Sequence, residues 1–214
     1  MIDIGELERT GWVQIEGIES KNDLLSIAEI LGTIKPHPNG DLIFCLTPSD
    51  GKTSVKGTFS NVFGYSDFPL HTDTAFWSIP ARYLVLGMFN QSDCHTQVIR
   101  SSDVFNKLGS EISKLVKNSI YMINTLEGKK YASLYFKHKS QTGFKFDSNC
   151  MKPVNIAAKL FHSKMMGIFQ NLEVTNISWS GNKAIILDNW VTLHGRETVP
   201  STDINRQLFR VYIG

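Results

Sequence analysis

Apolar positions along the chain change period several times, and each change marks an element. Lys21–Leu31 sets Leu24, Leu25, Ile27, Ile30 and Leu31 at helical spacing. Ser20 or Asn22 can cap that helix, and Gly32 stops it. Asp103–Lys117 predicts a second helix with Val104, Leu108, Ile112, Leu115 and Val116 inward. Asn155–Gln170 predicts a third, with Ile156, Leu160, Met165, Ile168 and Phe169 on its apolar side. Between and after them the period shortens to two or the run becomes wholly apolar. Trp12–Ile15, Asp41–Leu46, Arg82–Phe89, Thr96–Arg100 and Tyr131–Lys137 read as strands. Three more close the chain: Glu173–Trp179, Ala184–Leu187 (extending towards His194) and Gln207–Ile213.

Many short strands with few helices predict an α+β protein, mainly β, and the closing strands fit a sandwich or jelly-roll barrel. The 214 residues show no repeat and no shift of composition, so a single domain over residues 1–214 is expected. A charged fraction of 20% is that of an ordinary globular protein, and a net charge of +2 is too small to argue for nucleic acid. Lys114, Lys117, Lys129, Lys130, Lys137 and Lys139 cluster without an aromatic RNA signature and read as a solvated face. The three cysteines include no C-x-x-C pair, which suggests neither a disulfide framework nor a thiolate zinc site. The start, Met1-Ile-Asp-Ile-Gly-Glu, is not a signal peptide, and no stretch reaches the ~18 apolar residues of a membrane span. A cytoplasmic protein acting on a small molecule, without a membrane or nucleic-acid partner, is the expectation. The oligomeric state stays open.

Three segments carry chemistry. In Phe68-Pro-Leu-His71-Thr-Asp73, two ligand-type residues stand two apart. On an extended strand they project to one side, where an imidazole and a carboxylate can reach the same ion. Alone, H-x-D is a common tripeptide and reads as a capping Asp beside a surface His. The second segment, Ala184 to Arg196, has an apolar strand that delivers His194 into a loop opening with Gly195. Alone, His194 reads as a core histidine at a strand end. In the third, Asp203 to Tyr212, Arg206 and Arg210 stand four apart and share a face of a strand. Inside a barrel, two guanidiniums need anions; on an edge strand both would lie in water.

Taken together the segments resemble the TauD/clavaminate-synthase-like branch of the iron(II)/2-oxoglutarate-dependent oxygenases. The residues that carry the resemblance are Gly64-Tyr-Ser-Asp-Phe-Pro-Leu-His71-Thr-Asp73, then Asp188-Asn189 through His194-Gly195-Arg196, then Arg206 and Arg210. Pro80-Ala-Arg-Tyr-Leu84 and Phe146-Asp-Ser-Asn-Cys-Met151 match further family segments, and the likeness runs from about Thr58 to the C-terminus. The resemblance implies a double-stranded β-helix, or jelly roll, with flanking helices. It implies that His71, Asp73 and His194 hold Fe(II), and that Arg206 pairs with the distal carboxylate of 2-oxoglutarate. Thr96 would hydrogen-bond the same carboxylate, although Ser92-Asp-Cys-His95 replaces the usual glycine-rich lead-in. Lys145 stands where many relatives carry Arg, and its role is open.

The implied reaction consumes 2-oxoglutarate and O2, releases succinate and CO2, and hydroxylates an unactivated C–H bond. Desaturation or epoxidation by the same machinery is the alternative. A zinc hydrolase or a non-catalytic jelly-roll binding protein stands further off, since neither needs the paired arginines. Arg210 matches a position that binds an acidic group of the substrate in several members. The sequence shows no evident anion for Arg210 once Arg206 is taken, which points to a carboxylate-bearing substrate such as an amino acid or its derivative. The competing expectation is a structural ion pair from Asp147, Asp188 or Glu197. The span between Lys117 and Pro153 is the stretch roomy enough to cover the site.

Overall fold

The computed structural model describes residues 2–125 and 128–214. Two antiparallel sheets face each other. The larger has the order Trp12–Glu16, Lys183–Asp188, Tyr83–Met88, Leu208–Ile213 and Ile34–Lys35, with Phe44–Leu46 also pairing Leu208–Ile213. The smaller has the order Thr175–Ser180, Gln91–Arg100, Thr192–Arg196 and Phe68–His71. The chain is thus mostly β with flanking helices.

The wholly apolar runs Leu84–Met88 and Ala184–Leu187 follow from burial on both faces of the larger sheet. Val85, Ala184, Ile186, Phe209, Val211 and Ile213 point outward, against Leu24, Ile27 and Ala28 of the helix Lys21–Leu31. A Cβ on Gly87 would meet Leu24 Cδ2 at 2.4 Å, so glycine is what lets that helix lie close. Leu84, Leu86, Met88, Ile185, Leu187 and Tyr212 point inward and meet Val98, Ile177 and Trp179 of the smaller sheet. The far side of the smaller sheet packs on the helices Ser101–Leu108, Ile112–Asn118 and Ile156–Ile168 through Ile99, Leu193, Val104, Val116 and Phe161. The side chains between the two sheets therefore come from alternate positions of both.

Lys21–Leu31 has the expected bounds, and Ser20 caps it in a reciprocal capping box with Asp23. Most other expected elements lie within two residues of their bounds, and four need correction. Asp103–Lys117 is two helices, because Gly109 adopts φ +88° between them. Tyr131–Lys137 is two strands, Gly128–Ser133 and Tyr135–His138, in separate small sheets. The buried Leu134 turns the chain between them. Asp41–Leu46 shortens to Phe44–Leu46, while Thr96–Arg100 lengthens to Gln91–Arg100. The span 117–153 holds five short strands, and its residues 126–127 lie outside the described ones. The lysine cluster is exposed except for half-buried Lys130. Among the described residues, no helix is long and apolar enough to cross a membrane.

Candidate functional site

His71 ends the strand Phe68–His71 and His194 lies within Thr192–Arg196; the two stand directly opposite in the register. Cross-strand partners on one face are neighbours, and the ring centroids are 4.5 Å apart. Leu70 and Leu193 belong to the helix-side core, so pleat alternation sends both histidines between the sheets. His194 is thus inside a strand, not in a loop. Gly195 pairs with Gln97, and the register slips between His194 and Arg196, a bulge beside the two rings.

Asp73, by contrast, is not on a strand. It lies in the turn after His71, held by two hydrogen bonds to the fully buried Asn189. Its N–H donates to Asn189 Oδ1 at 3.0 Å, and Asn189 Nδ2 donates to its carbonyl at 3.0 Å. Asn189 Nδ2 also donates to the Ala81 carbonyl at 2.9 Å. Thr74 follows at φ +54°, a strained conformation for a β-branched residue. Its hydroxyl donates to the Asp73 carbonyl at 2.7 Å and accepts from Ala81 N–H at 2.9 Å. Arg196 joins the two motifs, donating through Nη2 to the carbonyls of Gly64 and Ser66 while lying 3.6 Å over the Phe68 ring.

The ligand atoms of His71, Asp73 and His194 all lie within 4.8 Å of one another, and all three residues are buried. His71 Nδ1 donates to the Pro69 carbonyl at 2.8 Å, which leaves its Nε2 lone pair free. Burial, then the neighbouring His194, pushes the His71 pKa down to about 3, so the ring is neutral and able to ligate. His194 Nε2 stands 3.6 Å from Asp73 Oδ2, and its buried Nδ1 has no hydrogen-bond partner among the described residues. Burial opposes the charge on Asp73, but the Arg210 guanidinium and His194 outweigh it and hold the carboxyl below the usual range. Two imidazoles and one carboxylate fit a divalent iron site.

Arg206 precedes the strand Leu208–Ile213, so strand periodicity does not relate it to Arg210. Its Nη1 donates to the Cys94 carbonyl at 2.8 Å. Cys94 and Thr96 are alternate buried positions of Gln91–Arg100. Thr96 Oγ1 accepts from Trp179 Nε1 at 3.1 Å, leaving its own proton to donate. Arg210 reaches Asp73 instead. The three acids expected as its structural partner are engaged elsewhere or out of contact. Asp188 pairs with Arg82 at 2.7 Å and Glu197 with His95 at 2.7 Å. Asp147 accepts from the N–H of Asn149 at 2.7 Å. Lys145 is buried and donates to the carbonyls of Trp77 and Ser78, tying the 117–153 span to the turn after Asp73.

Sequence reading missed His37 and the inward-facing Tyr212. His37 is buried in a Pro-bracketed turn and bonds the Arg210 carbonyl through Nε2 at 3.0 Å. Tyr212 had a signal, since it lies two residues from Arg210 on one strand. His37 had none, because nothing local says which strand it reaches.

No family model and no curated protein matches the sequence. Solved structures do match. An asparagine oxygenase in complex with Fe(II), (2S,3S)-3-hydroxyasparagine and succinate has a TM-score of 0.79 at 17% identity, over 99% of this chain and 77% of that one. PvcB from Pseudomonas aeruginosa, an Fe and alpha-ketoglutarate dependent oxygenase, has a TM-score of 0.71 at 16% identity, over 98% and 78%. The non-heme iron oxygenase OrfP, in complex with Fe, succinate and (3S)-hydroxy-L-Arg, has 0.71 at 16%, over 99% and 77%. Over almost its whole length, this chain has the fold of these iron oxygenases.

Proposed function

We propose that the chain is a single-domain, non-haem Fe(II)- and 2-oxoglutarate-dependent dioxygenase that hydroxylates a small amino acid or amino-acid-derived carboxylate. The observation that carries the reading is the buried cluster of His71, Asp73 and His194 between two sheets of an oxygenase fold. Two facing antiparallel sheets agree with a double-stranded β-helix. Bound at the triad, iron would supply oxidation of a C–H bond at the expense of 2-oxoglutarate and O2.

The chain's own residues do the positioning. Arg206 is buried with one hydrogen bond to a neutral carbonyl, and so keeps donors for the distal carboxylate of 2-oxoglutarate. Thr96, with its hydroxyl proton to spare, is buried two residues along the strand from Cys94, whose carbonyl Arg206 bonds, which supports a role on the same carboxylate. Arg210 is the group for a substrate carboxylate, since its buried Nε has no partner among the described residues. The two apolar sheets exclude water from the reacting atoms. Amino-acid products bound to the asparagine oxygenase and to OrfP support that substrate class.

The test is anaerobic addition of Fe(II) and 2-oxoglutarate to wild type and to His71→Ala, Asp73→Ala and His194→Ala. Wild type should develop a visible charge-transfer band, and with O2 and a suitable amino acid should release succinate. The three variants should show neither while keeping their far-ultraviolet circular dichroism. A variant with wild-type succinate release would remove that residue from the triad.

A further inference from the structure

Arg210 touches the carboxylate that would hold the ion. Its Nη1 lies 3.1 Å from Oδ1 and 3.0 Å from Oδ2 of Asp73, so a single nitrogen serves both oxygens. The arginine is fixed from the protein side. Its guanidinium carbon lies 4.7 Å over the Tyr212 ring, and His37 holds the Arg210 carbonyl at 3.0 Å. The His37 ring stacks on both Tyr212 and Phe44, with centroids 4.2 and 5.2 Å away. Tyr212 thus backs the guanidinium itself, and His37 backs the strand position that carries it. Its other edge carries further donors, of which the buried Nε has no partner among the described residues.

A cation on Asp73 would then share its carboxylate with a fixed positive charge in a buried place, where like charges repel strongly. The same guanidinium draws on both oxygens, which lowers their power to donate to a metal. An anion against the free edge would offset that charge. Resting on the metal-site reading above, we propose that Arg210 is a positioning residue that couples the two halves of the site. Through Asp73 it weakens the hold on a divalent cation, and a carboxylate at its free edge restores that hold. Arg206, bonded to the Cys94 carbonyl, has no contact with Asp73 and would not do this.

The experiment measures Mn(II) affinity by titration calorimetry and needs no turnover. Arg210→Met, whose stem still packs on Tyr212, and Arg210→Gln should each bind Mn(II) at least about tenfold tighter than wild type, equivalent to roughly 1.4 kcal/mol. Arg210→Lys keeps the charge and should stay within about threefold. In wild type, which needs no substitution to fold, sodium acetate should tighten Mn(II) binding severalfold over sodium chloride of equal ionic strength. Arg210→Met should lose that response. Unchanged or weaker Mn(II) binding in folded Arg210→Met, or no acetate effect in wild type, overturns the coupling. Asp73→Asn separates the two ideas. If it binds Mn(II) as wild type does, the metal-site reading itself fails; if it does not bind and Arg210→Met still shows no gain, only the coupling fails.

Discussion

Gly195 sits where the two histidine-bearing strands press together, and its side of the bulge has no room for a side chain. A Cβ at Gly195 would stand 2.6 Å from the Phe68 carbonyl oxygen. Ordinary contact begins at 3.4 Å, so Gly195→Ala must part the strands locally by about 0.8 Å. The obstructing atom is backbone, so no rotamer change relieves it. Phe68 begins the strand that His71 ends, and Gly195 follows His194 directly. The displacement therefore falls between the two imidazoles. Overpacking of this kind costs about 1–3 kcal/mol, which for a chain of this size lowers Tm by roughly 2–12 °C. Misplacement by about 1 Å can cost on the order of a hundredfold in rate. We expect Gly195→Ala to weaken Mn(II) binding by at least about tenfold, by calorimetry, and to lower Tm in a thermal scan. Gly167→Ala is the matched control: it lies in the helix Ile156–Ile168 with nothing within 4 Å of the new Cβ, so it should leave Mn(II) affinity unchanged and should not lower Tm. Wild-type Mn(II) affinity and Tm in Gly195→Ala would refute the argument that strand contact sets the ligand geometry.

Arg206→Lys keeps the charge but loses the fork, and the apparent KM for 2-oxoglutarate should rise at least about tenfold, or roughly 1.4 kcal/mol; an unchanged KM would assign the job elsewhere. Asn189→Ala removes three buried hydrogen bonds around Asp73 and should cost about 3 kcal/mol in urea unfolding together with weaker Mn(II) binding; a loss under about 1 kcal/mol would show that the turn holds itself. Lys145 has its pKa lowered to about 8 by burial, then by Lys130. Below pH 8 folded and unfolded chains both carry the proton. Between there and about 10.4 the unfolded chain alone keeps it, so this group makes stability rise with pH by up to roughly 1 kcal/mol per unit. Lys145→Met should flatten that rise in urea titrations, and an identical slope would exclude Lys145 as its source.

What the sequence determined by itself is local or compositional. The helix Lys21–Leu31 was legible to the residue because Ser20, Asp23 and Gly32 act within a turn of its ends. The residues of the candidate cluster were legible because few residue types can hold iron and the motif around each is short. The broken helix at Gly109 was less so, since the apolar period runs through it on both sides. Strand boundaries depended on partners distant in the chain. Leu208–Ile213 takes its register from Tyr83–Met88, and the Gln91–Arg100 strand is long because it pairs on both sides. Only the tertiary structure moved Asp73 off the strand and into the grip of Asn189, 116 residues away. It also decided what Arg210 faces. Even spacing on a strand predicts an inward guanidinium, but the side chain it meets is set by how two sheets pack. That choice paired Arg210 with Asp73 across 137 residues of chain, because a buried charge takes the nearest opposite charge that the packing provides.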